Sequence, residues 1–175
     1  EEYGPMKRHS GVDRLHENLP SAPNNPYGTA RVMQRKMAEI YFESFGLDIL
    51  HVRAFNHFGP YQKNSFVIPS FIEQIAKQLN EGKEKLVLES GNTKVVRDFT
   101  DVRDVVQAYY LLLKNGKAGE VYNVCSGAGH SLNDIIKLLE NIVGKPIKVN
   151  KSTRKRRPSD SLQLIGNNEK ITKHT

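Results

Sequence analysis

The order of helical and strand-like stretches constrains this chain more than any other feature. A helical pattern runs from Tyr27 to about Phe45, where Gly46 can close it, and an apolar run, Asp48 to Phe55, follows at once. In the helix Met33, Met37, Ile40 and Tyr41 fall at i, i+4, i+7 and i+8, one apolar stripe. In the run that follows, Ile49, Leu50 and Val52 read as a buried strand. Helices alternating with short apolar strands predict an α/β chain with a parallel sheet.

The alternation continues. A second helix is expected from Val67 to Asn80, with Ile68, Phe71, Ile72, Ile75 and Leu79 inward. Leu86 to Leu88 and Val95 to Phe99 read as short strands. Thr100 reads as the N-cap of a helix to about Lys114 that buries Val102, Val105, Val106, Tyr109, Leu112 and Leu113. Val121 to Val124 is a strand that ends in the loop Cys125 to Gly129, and Ser131 caps a helix to about Val143 with Leu132, Ile135, Ile136, Leu138 and Leu139 inward. Ile147 to Val149 is a last short strand. Residues 1–26, rich in Pro, Asn, Gly and charge, read as a long loop, and loops of that length are more often functional than ordinary connectors. The chain opens without an initiator Met and is expected to follow a strand that is mostly missing.

With 175 residues, 38% hydrophobic and 26% charged, the chain can build a real core, and a disordered chain is excluded. No apolar run reaches the length of a membrane span, so no membrane partner is expected. A single cysteine, Cys125, allows no internal disulfide and fits a reducing, cytoplasmic setting. The net charge of +7 favours anionic partners such as phosphates and nucleotides. The basic run Lys151 to Arg157 lacks the interleaved aromatics of a nucleic-acid surface, so no nucleic-acid partner is expected. It reads as a solvated loop from which one arginine, Arg157, reaches a diphosphate. The histidines show no metal-ligand spacing, and the chain has no Gly-x-Gly-x-x-Gly after a strand. No metal is expected.

Tyr27 and Arg31 are four apart, on one face of the first helical turn. A fixed positive charge beside a phenol favours the phenolate, which suits acid/base work near neutral pH. Asn56 and His57 follow the strand, where ligands of open α/β sheets bind, although Gly59-Pro60 also reads as an ordinary turn. Arg97-Asp98 is either a local ion pair that fixes the strand-to-helix turn or a ligand-binding pair.

Taken in order, these motifs resemble the C-terminal half of an extended short-chain dehydrogenase/reductase that acts on nucleotide sugars. Glu2-Tyr3-Gly4 is similar to the end of the segment that follows the family's catalytic Ser/Thr. Pro26-Tyr27-Gly28-x-x-Arg31 resembles the Tyr-x-x-x-Lys motif, with Arg31 standing where the family has lysine. Arg53 to Pro60 resembles Arg-x-Phe-Asn-x-x-Gly-Pro, and Arg97 to Val105 resembles the Arg-Asp-Phe segment of the substrate domain. Tyr122 to Gly127 and Arg157 to Asp160 match as well. Within the superfamily, the Phe55-Asn56-His57, Arg97 to Asp104 and Tyr122 to Gly127 runs look most similar to GDP-4-keto-6-deoxymannose reductases.

The resemblance implies a Rossmann-type NAD(P)-binding fold, of which residues 1–60 would form the C-terminal portion. A small α/β substrate-binding domain would occupy 61–175, with 95–125 partly returning to the Rossmann core. Tyr27 and Arg31 would be catalytic, and with Asn56 would touch the NAD(P) cofactor, most of whose site would lie in the missing N-terminal half. Asn56, Arg97 and Arg157 would bind a nucleotide-diphosphate sugar. The helix after Tyr27 would carry a homodimer interface. The implied reaction is reduction of a 4-keto sugar. The alternatives are 4,6-dehydration or C4 epimerisation on the same scaffold, or a sugar-nucleotide-binding protein whose site Arg31 has retired.

Overall fold

The computed structural model describes residues 1–152 and 161–175. Helix α1 spans Pro26–Phe45. Asn25 is extended before Pro26, and its Oδ1 accepts from Gly28 N at 2.8 Å, so the residue that Pro26 pushes out of the helical region also caps the helix. At the other end Gly46 is left-handed (φ 64°); its N–H reaches Phe42 O at 3.1 Å and Leu47 N–H reaches Tyr41 O at 3.2 Å. Replacing Asn25 with Ala is expected to destabilise the fold by about 1 kcal/mol. A urea midpoint that does not move would show that the cap contributes nothing.

Strand β1 (His51–Ala54) pairs in parallel with β5 (Val121–Val124), His51 opposite Val121. The chain then steps sideways: β2 (Asn56–Phe58) pairs in parallel with β4 (Val96–Asp101), Asn56 opposite Phe99. Asn56 and His57 therefore stand on a strand rather than in a loop. β4 also pairs antiparallel with β6 (Gly129–Ser131) and parallel with β8 (Gln163–Leu164). The expected loop after Cys125 is thus partly strand. A third pair joins β3 (Leu86–Ser90) to β7 (Ile147–Lys151), parallel and longer at each strand's C-terminal end than the apolar residues alone suggested.

Two cores hold these pairs. In one, Phe71 and Ile75 of α2 (Val67–Asn80) and Leu132 and Ile136 of α4 (Leu132–Val143) close on Leu86, Leu88 and Ile147. In the other, Val105 and Leu112 of α3 (Val102–Asn115) and Ile171 of α5 (Glu169–His174) close on Tyr122 and Val124. Helix α2 also covers the edge of β3 by main-chain mimicry. Gln78 donates to Val87 O at 2.7 Å and accepts from Val87 N at 2.9 Å, and the Gln74 Oε1 accepts from Glu89 N at 2.9 Å. Helix α4 opens with the Ser131–Asp134 capping box.

Several expectations need correction. The cap of α3 is Asp101, whose carboxylate accepts from Arg103 N at 2.9 Å; Thr100 remains in β4 because the β2–β4 ladder runs through to Asp101. Ile72, Val106, Tyr109, Leu113 and Leu138, read as inward, are exposed, since each helix covers a narrower arc than its apolar residues span. The α1 stripe is also on the surface, with Met33 at 64% and Met37 at 51% exposure.

Candidate functional site

The site begins at the first turn of α1. Tyr27 is 65% exposed, and the Arg31 Nη1 donates to Gln34 Oε1 at 2.7 Å. The turn sits against the chain's opening segment. Gly28 is buried there, and a Cβ on it would stand 2.8 Å from Glu1 O and 3.1 Å from Pro23 Cβ. Only glycine lets the helix start this close. Asn25 Nδ2 ties the same segment down by donating to the Glu1 carboxylate at 2.7 Å.

Behind this surface lies a buried polar network. Glu2 is 5% exposed; its Oε1 pairs with His51 Nε2 at 2.7 Å and its Oε2 accepts from Arg53 Nε at 3.0 Å. Burial pushes the Glu2 carboxyl up, but the His51 hydrogen bond and the His51 and Arg53 charges outweigh it and hold the group below its ordinary value. Arg53 also donates to Glu17 O and Ser21 Oγ, and its guanidinium lies 4.5 Å from the centre of the Tyr3 ring. Burial raises the Tyr3 phenol, whose O–H donates to Asn123 Oδ1 at 2.8 Å. Asn123, fully buried on β5, donates in turn to Leu15 O at 2.8 Å. The opening loop is therefore stitched onto β1 and β5 by hydrogen bonds and charge as much as by apolar packing.

The second pair of candidates comes together through β2 and β4. Asn56 is exposed opposite Phe99, and Arg97 lies two residues earlier on β4, on the face that Phe99 shares. Arg97 is 9% exposed, and its Nη1 donates to Val96 O at 2.8 Å and Ser161 O at 2.9 Å. Asp98 points to the opposite face and is committed to the main chain. Its Oδ1 accepts from Ser126 N (2.8 Å) and Ser126 Oγ (2.6 Å), and its Oδ2 from Gly127 N (3.0 Å) and Gly166 N (3.2 Å). The open choice at Arg97-Asp98 resolves for the aspartate: it organises loops rather than closing a local ion pair. Arg157 lies outside the described residues.

Cys125 is buried; burial first, and the Asp98 charge second, push its thiol up to about 12, the direction that disfavours the thiolate. No group of three or more His, Cys, Asp or Glu that could hold a metal ion occurs among the described residues. No helix there is long and apolar enough to cross a membrane.

Sequence reasoning placed Tyr27, Arg31 and Arg97 correctly on their elements, put Asn56 in a loop where it begins β2, and missed Glu2, His51 and Asn123. Asn123 lies within the matched Tyr122 to Gly127 run, and the signal at the opening was the motif pair Glu2-Tyr3, an acid and a tyrosine side by side. Their partners lie 49, 51 and 120 positions away, beyond any local pattern.

The chain is matched over residues 1–175 by the family model described as GDP-mannose 4,6 dehydratase. It is 36% identical over 157 residues to the GDP-6-deoxy-D-mannose reductase of Pseudomonas aeruginosa, covering 90% of this chain and 51% of that protein. It is 30% identical over 127 residues to the human dTDP-D-glucose 4,6-dehydratase, covering 73% of this chain and 35% of that protein. A solved structure described as RMD from Pseudomonas aeruginosa complexed with NADPH superposes with a TM-score of 0.87 at 34% identity, over 99% of this chain and 56% of that one. The chain thus spans about half the length of the relatives it matches most fully. By sequence and by fold it belongs to the GDP-mannose 4,6-dehydratase family, within the extended short-chain dehydrogenases/reductases.

Proposed function

We propose that this chain belongs to an NAD(P)-dependent oxidoreductase that reduces a nucleotide-linked 4-keto-6-deoxy sugar of the GDP-4-keto-6-deoxymannose kind. The observation that carries the reading is the exposed Tyr27 with the half-buried Arg31 on one face of the first turns of α1, in a chain 36% identical to a GDP-6-deoxy-D-mannose reductase. The nicotinamide, when bound, supplies the hydride for the sugar C4. Tyr27 gives its phenolic proton to the C4 oxygen as negative charge develops there. Arg31 fits a ribose and a phenolate equally: its fork offers several N–H donors and a permanent charge, and Gln34 takes only Nη1. Asn56, exposed at the start of β2, orients the sugar beside the nicotinamide. Arg97 and Arg157 hold the diphosphate or ribose of the nucleotide.

The two cores suggest the division of labour. Residues 1–60, with 95–125 partly returning, belong with the dinucleotide-binding fold, and 61–175 mainly with the substrate domain. The exposed stripe of Met33, Met37, Ile40 and Tyr41 suits a homodimer through α1, and the lone Cys125 suits a cytoplasmic protein.

One observation favours a second reading. Arg31 donates to Gln34, one turn further along the helix, and no Arg31–Tyr27 hydrogen bond occurs among the described residues, which favours a protein that binds sugar nucleotides without turning them over. NADPH consumption by the full-length protein on a GDP-4-keto-6-deoxy sugar separates the two. Turnover that releases oxidised cofactor supports the reductase, whereas binding without turnover, with activity gained in Arg31→Lys, supports the retired site. Turnover without net cofactor oxidation would place the protein with the dehydratases or epimerases.

A further inference from the structure

Helix α1 carries the proposed proton donor, and among the described residues little apolar packing holds it. Met33, Met37, Ile40 and Tyr41 all face solvent. At the far end Phe42 lies against Gly119, where a Cβ would come within 2.4 Å of its ring. At the near end Gly28 rests on Glu1 O. Between them Arg35, half-buried like Val32 and Ala38, is the inward charged group next after Tyr27 and Arg31 in the i, i+4 row of the helix, with 18% of its side chain exposed.

We infer that Glu2 is a positioning residue: its buried carboxylate, shared by Arg53 of β1 and Arg35 of α1, seats the helix and so fixes where Tyr27 and Arg31 stand. The inference rests on reading Tyr27 as the proton donor.

The geometry supports the seat in three ways. Glu2 Oε2 accepts from Arg53 Nε at 3.0 Å and lies 4.0 Å from Arg35 Nε, so one oxygen answers to both guanidinium groups. Arg35 Nε is buried and has no hydrogen-bond partner among the described residues, so Glu2 is what compensates its charge on that side; its Nη1 is held by Glu39. The main chain around Glu2 is itself fixed: Ala22 N donates to Glu2 O at 2.9 Å and Gly4 N to Glu1 O at 3.1 Å. Residues 1 and 2 therefore meet α1 at its first turn and again at Arg35. Contact at two separated points resists tilting of the helix, and tilting displaces groups at its N-terminus. A displacement of about 1 Å at a reacting group can cost on the order of 100-fold in rate.

The decisive variant is Arg35→Met in the full-length protein. It removes the helix end of the contact and leaves Glu2 paired with His51 and Arg53. We expect kcat to fall at least tenfold, KM for the sugar nucleotide to stay within twofold, and Arg35→Lys to restore most of the rate. Glu2→Gln is expected to reproduce the loss if it folds. Hydrogen exchange over residues 28–36 is expected to quicken in Arg35→Met relative to β1. An unchanged kcat in Arg35→Met, or a loss seen only in KM, overturns the proposal. If the wild-type protein shows no turnover, the reductase reading fails by itself, and exchange alone decides the seat. Unchanged protection over 28–36 then overturns it.

Discussion

Replacing Tyr27 with phenylalanine in the full-length protein is expected to lower kcat by about 10²- to 10⁴-fold, the range for losing a positioned acid/base. The substitution removes one hydroxyl and keeps the ring. Because Tyr27 is 65% exposed and its ring belongs to neither core, stability should change by less than about 0.5 kcal/mol. KM for the sugar nucleotide should move little, since its diphosphate contacts are assigned to Arg97 and Arg157 on other parts of the chain. Steady-state NADPH consumption at saturating substrate, with thermal melting as the control, reads both quantities. A variant that keeps more than a tenth of the wild-type rate would remove Tyr27 from the chemistry. Because its neighbours Asn25 and Gly28 fix the turn from below, such a result could not be blamed on a displaced helix.

How much of this was legible in the sequence depends on how local each signal was. Helix α1, α2 and strand β5 fall where the pattern put them, because Asn25-Pro26, Gly46 and the apolar spacing act within a few residues. Periodicity failed at the outer rows of the helices. Val106 and Leu113 of α3 and Leu138 of α4 continue an apolar stripe in sequence, yet they stand outside the arc by which Val105 and Leu112 of α3, and Leu132 and Ile136 of α4, meet the two cores. Strand β6 was hidden for another reason. Gly129-His130-Ser131 has no strand propensity, and the segment is extended because β4 offers it an edge and because Gly129 lets Ile165 pack within what would be 2.3 Å of a Cβ. At the site, the motif residues were legible as residue types at fixed spacing. The charges that hold them were not, since Glu2, Arg53 and Arg35 are joined only by the fold.

Asp98→Ala is expected to be the most damaging single substitution in the described residues outside the apolar cores. Asp98 is 1% exposed and its two oxygens accept four hydrogen bonds, from Ser126 N, Ser126 Oγ, Gly127 N and Gly166 N. Alanine leaves the buried Gly127 and Gly166 N–H groups without an acceptor, at about 1–3 kcal/mol each. A loss of roughly 2–6 kcal/mol is a large share of the 5–15 kcal/mol typical of a folded domain. Asp98→Asn sharpens the test, because asparagine keeps the size but offers one acceptor oxygen, so its NH₂ must face one set of donors. If acceptor count is what matters, asparagine should recover little of the loss; if packing matters, it should recover nearly all. Urea unfolding with an unchanged m-value distinguishes these, and a midpoint shift worth less than about 1 kcal/mol in Asp98→Ala would refute the assignment. The consequence reaches the site through the strand. Asp98 draws Ser126, Gly127 and Gly166 onto one face of β4, while Arg97 on the other face binds Ser161 O just before β8. Losing the aspartate should therefore loosen β8 from β4 and weaken nucleotide binding in whatever fraction remains folded.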